Sequence, residues 1–194
     1  MIDSRVRAVL DELEAWGEEN DRIQTDRSRK MLNLEPETAE LVRALIVGRK
    51  PRRILEIGSS NGYSTIWLAA SVFPGGRVIS IDRNPEKLRM AKENLERAGL
   101  LDRVELLSGN ATEIVAALEG PFEVVFFDAD RFSAPEQLAL LLPKMAPDAL
   151  LLADNVLSHP EEIAGYMAAV RRLSDFEHSV IAVGKGLSVA FRVS

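Results

Sequence analysis

Three oxygen-donor side chains stand directly after apolar stretches in the second half of the chain. Asp128 follows residues 122–127, and the pair Asp154-Asn155 follows residues 149–153. Two carboxylates and an amide oxygen are donors that Mg²⁺ or Ca²⁺ prefers, and Mn²⁺ takes similar ligands. Neighbouring side chains on a regular strand point to opposite faces, so Asp154 and Asn155 can hold one ion together only where the strand has ended. The set predicts a cation site, although an Asp-Asn pair also forms turns well.

Two further acids stand at corresponding places earlier in the chain. Glu56 lies near the end of the apolar stretch 53–57, and Asp82 directly follows the stretch 77–81. Asp82 comes 20 residues after Gly62, the spacing at which an acid ending a second strand binds ribose hydroxyls. Asp is common in turns, but four acids in register favour a ligand site along one edge of a sheet.

The chain is organised around a strand, a glycine turn and a helix that begins near Tyr63. The turn carries Gly58 and Gly62, whose missing side chains let a ligand approach the backbone closely. A dinucleotide fingerprint has glycines in the pattern G-x-G-x-x-G, whereas Ser59 and Ser60 stand between these two. The spacing therefore disfavours NAD and FAD and suits a ligand without a pyrophosphate, such as S-adenosylmethionine. Since many strand-to-helix turns contain glycine, the turn alone is weak support.

The elements that must position these residues alternate along the chain. Extended stretches and helical stretches follow one another five times, which predicts an α/β fold with a Rossmann-like, doubly wound, mostly parallel sheet and helices on both faces. Residues 176–183 and 187–193 are joined by Gly184-Lys185-Gly186 and predict a C-terminal hairpin that adds an antiparallel edge strand. We expect a single domain over residues 1–194, with residues 1–35 forming an N-terminal helix and a flap.

Composition narrows the class of function. The chain has 194 residues, a net charge of −6 and no cysteine, so generic nucleic-acid binding, disulfides and thiolate metal sites are not expected. It contains no apolar run of about 18 residues and no apolar signal core at its start, so we expect a cytoplasmic protein with a small-molecule substrate and no membrane partner. The polar stretch 18–30, which contains a basic cluster from Arg22 to Lys30, is either a solvated connector, a mobile flap or a patch for an acidic substrate.

Several motifs in order resemble the cation-dependent O-methyltransferases of the catechol and caffeoyl-coenzyme-A type. They are Leu55-Glu56-Ile57-Gly58 through Gly62-Tyr63-Ser64, Asp82-Arg83-Asn84-Pro85, Gly109-Asn110-Ala111, Phe127-Asp128-Ala129-Asp130, Leu152-Ala153-Asp154-Asn155-Val156-Leu157 and Gly186-Leu187-Ser188-Val189-Ala190. Each motif alone is weak, but the ordered set extends from about Leu32 to the C-terminus. The resemblance implies a class I methyltransferase fold, methyl transfer from S-adenosylmethionine to a hydroxyl of a catechol-like or phenolic acceptor, assistance by a divalent cation, and a homodimer.

The resemblance also assigns roles to individual positions. Asp128, Asp154 and Asn155 match the family's metal ligands, and Leu32 to Glu35 matches a segment that lies over the cofactor through its backbone. Asp82 would hold the ribose, and Asn110 and Ala111 would lie beside the adenine, although the family usually has an acid where Asn110 stands. The full set of expected cofactor-binding residues is Glu56, Gly58, Tyr63, Ser64, Asp82, Arg83, Asn110, Ala111 and Asp128.

One departure from the family pattern concerns the proton acceptor. The family has Lys three residues after the first metal Asp, where it is read as a general base, and Arg131 stands there in this chain. Because Arg stays protonated, it is a poor base and could instead orient or stabilise an oxyanion or an acidic substrate. Asp128 and Arg131 are the candidate catalytic residues; Lys185, Asp130 and His159 are other candidate proton acceptors, or the cation alone lowers the pKa of the hydroxyl.

Two alternatives remain open at the sequence level. Arg131 favours a methyltransferase of the same fold that needs no metal or methylates another atom. A nucleotide-binding protein, either a nicotinamide-dependent dehydrogenase or a module without catalysis, would keep the strand-turn-helix unit, but the glycine spacing speaks against it.

Overall fold

A computed structural model of the protein describes residues 2–193. One mixed sheet of seven strands runs through the molecule, in the order β3-β2-β1-β4-β5-β7-β6. The elements in chain order are α1 (Ser4–Ile23), α2 (Pro36–Arg49), β1 (Arg53–Ile57), α3 (Tyr63–Ala69), β2 (Arg77–Asp82), α4 (Pro85–Ala98), β3 (Val104–Ser108), α5 (Ala111–Ala117), β4 (Phe122–Phe127), α6 (Ala134–Leu141), β5 (Met145–Ala153), α7 (Pro160–Val170), β6 (Phe176–Ile181) and β7 (Leu187–Arg192).

Strands β1 to β5 are parallel, and their apolar side chains fill a core on each face of the sheet. Ile54 of β1 lies beside Val78 of β2 on one side and Val124 of β4 on the other, and all three are fully buried. One face packs against α1, α2, α3 and α4, and the opposite face packs against α5, α6 and α7. Strands buried on both faces read as continuous apolar runs, which is why the sequence shows them without alternation. The predicted doubly wound α/β fold is confirmed.

Local signals fix where α4 begins and ends. Asn84 accepts hydrogen bonds from the backbone N–H groups of Glu86 and Lys87, at 3.0 and 3.4 Å, and Pro85 occupies the first helical position. Gly99 ends the helix with a φ of +70°, a conformation that glycine adopts without strain. The preceding strand β2 therefore ends in a fixed turn that carries Asp82.

Several boundaries differ from those that the apolar patterns indicate; β6, for example, ends at Ile181 and not at residue 183. Helix α1 extends to Ile23, because its charged last turn needs no apolar period to stay helical at the surface. Strand β5 begins at Met145 and continues through Pro147, where the pairing with β4 shifts register; a proline is tolerated there because the bulge does not use its missing N–H. Helix α3 ends at Ala69, earlier than the apolar run indicates.

The C-terminal hairpin adds two antiparallel strands to the sheet. β7 pairs with β5, and β6 lies outside β7 at the edge, so the last strand of the chain is inserted between the two. This order brings the loop between β6 and β7 back to the end of β5, where Val156 and Leu157 donate backbone hydrogen bonds to Gly186 and Lys185. Among residues 2–193, none of the helices is long and apolar enough to cross a membrane.

Candidate active site

The carboxyl ends of the four neighbouring strands β2, β1, β4 and β5 meet at one edge of the sheet. Backbone hydrogen bonds continue the sheet by one step beyond its strands: Gly58 donates to Ile81, Asp128 donates to Ile57, and Asp154 donates to Phe127, at 2.8, 2.9 and 3.0 Å. Residues far apart in the sequence thus come together where open α/β sheets bind ligands.

The two glycines of the turn after β1 are required by contacts within the protein. Gly58 has a φ of +111°, and a Cβ there would collide with the backbone carbonyl group of Asp128. Gly62 has a φ of +88°, and a Cβ there would lie 2.9 Å from the Cα of Ala91 on α4. The glycines therefore let β1 approach the loop after β4 and let α3 approach α4, which holds the edge together.

Glu56 supports this turn from inside the protein. Its carboxyl group is fully buried and accepts hydrogen bonds from the hydroxyl groups of Ser64 and Thr65, both at 2.5 Å, and of Ser80. Burial raises its pKa, although the three hydroxyl groups favour the ionised form and lower it. Glu56 and Ser64 thus shape the turn without facing the edge, and Thr65 and Ser80 complete a cage that no local pattern in the sequence indicates.

The side chain of Tyr63 is buried against α1, so its predicted part in the cofactor site would come from its backbone at the start of α3. It is 1% exposed, packs beneath α1 and donates a hydrogen bond from its hydroxyl group to Glu14. Burial and the neighbouring carboxylate raise the pKa of this hydroxyl group. Its backbone N–H is occupied by Asn61 at 3.2 Å, so Tyr63 anchors the start of α3 to the N-terminal helix.

Asp82 is held rigidly at the end of β2. One carboxylate oxygen accepts from the backbone N–H of Ser60 at 2.8 Å, and the other accepts from that of Asn84 at 2.9 Å. An ionised carboxylate has about four acceptor positions, so those that remain are available to a ligand with two hydroxyl groups. The adjacent Arg83 is exposed.

The end of β3 lies beside Asp82. Gly109 donates a backbone hydrogen bond to the carbonyl oxygen of Asp82 at 3.1 Å, which brings Asn110 and Ala111 next to the second strand. The side-chain oxygen of Asn110 accepts from the N–H of Thr112 at 2.9 Å and caps α5, and Ala111 is half-buried. The amide group of Asn110 is therefore committed in part to the helix, where the family usually has an acid.

A short segment, residues 29–33, crosses over the glycine turn; we call it the strap. The hydroxyl group of Ser60 donates to the carbonyl oxygen of Met31, and the Lys87 ammonium group donates to that of Lys30, both at 2.7 Å. Asp21 of α1 accepts from the backbone N–H groups of Met31 and Leu32, at 2.6 and 2.7 Å. Leu32 has a φ of +52°, a conformation that leucine rarely adopts and that these contacts maintain.

The three predicted cation ligands are in contact with one another. The amide nitrogen of Asn155 lies 3.2 Å from a carboxylate oxygen of Asp128 and 2.6 Å from one of Asp154. Asn155 has a φ of +64°, so the strand has ended there, as a shared site requires. Within residues 2–193 no group of three or more His, Asp or Glu side chains is arranged to hold a metal ion, so this set rests on two carboxylates and one amide.

The electrostatics of these carboxylates fit a cation. Asp154 is 4% exposed, and its second carboxylate oxygen is buried without a hydrogen-bond partner in the described part of the chain. Burial raises the pKa of Asp154 to about 6, and Glu35 adds to the shift. Burial and the neighbouring Asp154 raise the pKa of Asp128 well above its usual range. Two buried acids whose pKa values are raised in this way are typical of a site that binds a hard cation.

The candidate proton acceptors occupy different positions around the site. Arg131 is 12% exposed in its side chain and forms an ion pair with Glu162 at 3.0 Å, and Lys185 forms one with Glu35. Asp130 is exposed and accepts from the hydroxyl group of Ser133 at 2.5 Å. The side chain of His159 lies 2.8 Å from the Ser158 hydroxyl group.

A family model described as O-methyltransferase matches residues 9–193 of this sequence. The chain belongs to the O-methyltransferase family. Catechol O-methyltransferase of Mycobacterium tuberculosis is 40% identical over 107 residues, which are 55% of this chain and 49% of that protein. Catechol O-methyltransferase of Niastella koreensis is 33% identical over 130 residues, covering 65% and 59% respectively. The chain thus spans about half the length of these relatives, and the family inferred from the motifs is confirmed.

Solved O-methyltransferase structures match almost the whole chain. The O-methyltransferase of Bacillus cereus, in complex with S-adenosylhomocysteine, is 26% identical with a TM-score of 0.80 and covers 98% of this chain and 91% of its own. The O-methyltransferase TomG of Streptomyces achromogenes, in complex with S-adenosylmethionine, is 27% identical with a TM-score of 0.78 and covers 99% and 91%. The class I methyltransferase fold expected from the resemblance is therefore confirmed.

Proposed function

We propose that this protein is an S-adenosylmethionine-dependent O-methyltransferase that acts on a small catechol-like or phenolic acceptor with the help of a divalent cation. The observation that carries the proposal is the contact between Asp128, Asp154 and Asn155 at the same sheet edge as the glycine turn and Asp82. A ribose-binding acid and a set of hard-cation ligands side by side suit a reaction between a nucleoside cofactor and an oxygen nucleophile.

The cofactor would occupy the edge between the glycine turn, the strap and the end of β3. Asp82 would accept hydrogen bonds from the ribose hydroxyl groups, and Asn110 and Ala111 would line the adenine, with Arg83 at the exposed rim. Relatives named above carry S-adenosylmethionine or S-adenosylhomocysteine. S-adenosylmethionine supplies an electrophilic methyl group on a cationic sulfur; the chain supplies binding and orientation.

Asp128, Asp154 and Asn155 would hold Mg²⁺, or Ca²⁺ or Mn²⁺ in its place. A divalent cation supplies charge that favours the ionised form of an acceptor hydroxyl group. The amide group of Asn155 presents its nitrogen to both carboxylates, so its oxygen would face a cation only with the amide turned over. Asp128 would also contact the cofactor, because its loop packs against Gly58.

The remaining expectations complete the proposal. Residues 1–194 would form one methyltransferase domain, in which residues 1–35 supply the N-terminal helix and the segment over the cofactor. We expect the protein to work in the cytoplasm on a small molecule, without nucleic acid or a membrane as partner, and as a homodimer. The net charge of −6 supports the absence of a nucleic-acid partner.

Calorimetry and a methyl-transfer assay test the proposal together. S-adenosylhomocysteine should bind the protein, and Asp82→Ala should weaken the affinity at least tenfold because the ribose loses its acceptor. Methyl transfer to catechol should need Mg²⁺ and stop with EDTA, whereas Asp102→Ala, an exposed acid remote from the edge, should change neither result. Absence of binding at millimolar S-adenosylhomocysteine would contradict the proposal.

One observation favours a second candidate, a methyltransferase of the same fold that works without metal. Burial raises the pKa of Asp128 and Asp154, and the permanent positive charge of the neighbouring Arg131 offsets a small part of that rise. Activity that survives EDTA, together with unchanged turnover of Asp154→Ala in the same assay, would select this candidate. Membership of the O-methyltransferase family argues against the dehydrogenase alternative.

A further inference from the structure

A surface groove lies between helices α1 and α4, and the residues that line it are different from those of the candidate active site. Its volume is about 330 Å³, within the range of roughly 300–1,000 Å³ that is typical of small-molecule sites. Both helices contribute to its walls, which include Leu13 and Trp16 of α1 and Met90, Glu93, Asn94 and Arg97 of α4. The groove is therefore large enough for a ligand of its own.

Trp16 gives the groove an aromatic wall that the protein leaves open. Trp16 is 43% exposed, whereas the other tryptophan of the chain, Trp67, is 2% exposed. Within residues 2–193, arginine guanidinium groups lie over the rings of Trp67 and of four phenylalanines, but none lies over Trp16. Since an indole ring attracts cations more strongly than the other aromatic side chains do, Trp16 offers an open face to a cation.

Two carboxylates line the groove together with Trp16, one from each helix. Glu12 of α1 accepts a hydrogen bond from Arg97, and Glu93 of α4 accepts one from Arg89 at 2.6 Å. These ion pairs are largely exposed and therefore weak, and an ionised carboxylate has about four acceptor positions, so each acid can bind a further cation. With two acids against one base, the walls favour a positively charged ligand.

The remaining walls indicate what carries the positive charge. Leu13 is buried and Met90 is half-buried, and both present apolar surface to the groove. A hydrated metal ion gains nothing from such surface, and the two acids would repel an anion. The combination of an indole face, carboxylates and apolar walls fits an organic cation with an apolar body.

Residues of the groove also hold two parts of the candidate cofactor site. Asn94 is 7% exposed, accepts from Arg97 at 3.1 Å and donates to the carbonyl oxygen of Asn61, in the glycine turn, at 2.9 Å. The carbonyl oxygen of Leu13 accepts from the side-chain amide group of Asn33, in the strap, at 2.9 Å. A ligand that fixes α1 against α4 therefore bears on both the turn and the strap.

We propose that the groove between α1 and α4 is a regulatory site for a small organic cation with an apolar body, such as an aromatic ammonium compound. Its positive group lies against the indole ring of Trp16, between the carboxylates of Glu12 and Glu93. Its apolar body packs against Leu13 and Met90. The inference goes beyond the proposed function, and only the regulatory role rests on cofactor binding.

The bound cation should strengthen binding of the cofactor. Because it contacts a carboxylate on each helix, it ties α1 to α4 and orders the strap and the glycine turn before the cofactor arrives. A protein that is already ordered loses less conformational entropy when it binds its next ligand. By thermodynamic reciprocity, the cofactor raises the affinity for the cation by the same factor.

Benzyltrimethylammonium is a suitable test ligand, because it combines a permanent positive charge with an aromatic ring. We expect it to bind the wild-type protein in a calorimetric titration and to change the fluorescence of the exposed Trp16, since Trp67 is shielded in the core. Benzyl alcohol, which has the same ring without the charge, should bind about tenfold more weakly.

Two variants locate the bound cation. Trp16→Leu and Glu93→Gln should each weaken binding of benzyltrimethylammonium about threefold or more. Both side chains are exposed, so both variants should melt near the wild-type temperature. Glu113→Gln, which removes an exposed acid of α5 on the opposite face of the sheet, is the matched control and should bind the cation as the wild type does.

Titration of S-adenosylhomocysteine with and without saturating benzyltrimethylammonium measures the regulatory role. We expect the cation to raise the affinity of the wild-type protein for S-adenosylhomocysteine about fivefold. Asn33→Ala keeps the walls of the groove but lacks the amide link between the strap and Leu13. It should bind the cation as the wild type does and show a smaller rise.

The outcomes distinguish the cation site from the proposed function. No binding of benzyltrimethylammonium at millimolar concentration, equal affinity for benzyl alcohol, or unchanged binding in Trp16→Leu and Glu93→Gln would overturn the cation site. Cation binding that leaves the affinity for S-adenosylhomocysteine unchanged would overturn the regulatory role. Failure of the wild-type protein to bind S-adenosylhomocysteine, with cation binding intact, would overturn the proposed function and the regulatory role but not the cation site.

Discussion

At the scale of single residues, the buried acid Glu56 differs from the other strand-end acids. Its position in the sequence matches theirs, yet its carboxyl group lies inside the protein among three hydroxyl groups. No local pattern predicts this, because Ser80 reaches Glu56 from a different strand. The acids that face a ligand and the acid that supports the turn can be told apart only once the register of β1 and β2 is known.

Glu56 gives a prediction on stability. Burial raises its pKa, so the folded protein keeps a proton there at pH values where the unfolded chain has lost it. The folded state then binds more protons, and the free energy of unfolding falls as pH rises above the ordinary pKa of Glu. Glu56→Gln, which cannot ionise, should lack this loss. Urea unfolding at pH 5 and pH 8 should therefore show that the stability of Glu56→Gln rises relative to that of the wild type between the lower and the higher pH.

The exposed Glu40→Gln is the matched control and should follow the wild-type pH dependence. If the stability difference between Glu56→Gln and the wild type were the same at both pH values, the raised pKa would be wrong.

At the scale of elements, the spacing of apolar residues predicted which segments form helices and strands. It did not predict the order of the C-terminal strands in the sheet. The helices that contact the sheet and the five parallel strands have continuous or periodic apolar residues, which the sequence displays directly. The insertion of β7 between β5 and β6, and the path of β5 through Pro147, depend on pairing between distant segments. Such pairing leaves no local signal in the sequence.

The strap gives a prediction at this scale. Asp21 holds it from α1 by accepting two backbone N–H groups, so Asp21→Ala should release residues 29–33 from the glycine turn. Because the released strap must be ordered again on binding, affinity for S-adenosylhomocysteine should fall about tenfold, or roughly 1.4 kcal/mol. Calorimetric titration of the variant measures this directly.

Asp11→Ala, an exposed acid on the same helix, is the control and should bind S-adenosylhomocysteine as the wild type does. Equal affinities of Asp21→Ala and Asp11→Ala would mean that the strap takes no part in the cofactor site.

At the scale of the whole molecule, the parallel topology explains why most residues of the candidate site could be predicted from the sequence. Since parallel strands end at a common edge, acids that follow successive strands must lie close together, and Asp128, Asp154 and Asn155 do. Residues that contact the site from helices, including Asp21, Lys87 and Glu162, follow no such rule. Their positions depend on how each helix packs, and no local pattern of residues indicates that packing.

The whole fold should also respond to its ligands as one cooperative unit. Asp128 and Asp154 repel each other at the edge that joins β4 to β5. Replacing one of these charges should therefore remove the repulsion and stabilise the ligand-free protein. We expect Asp154→Asn to raise the melting temperature of the ligand-free protein and to remove the further rise that Mg²⁺ gives the wild type. S-adenosylhomocysteine at a hundred times its Kd should stabilise both proteins by about 2.7 kcal/mol. Differential scanning calorimetry with each ligand alone and with both together separates the effect of Mg²⁺ on the melting temperature from that of S-adenosylhomocysteine.

A rise in melting temperature with Mg²⁺ that persists in Asp154→Asn would place the cation elsewhere. A loss of the response to S-adenosylhomocysteine in this variant would show that Asp154 also supports the cofactor side of the edge.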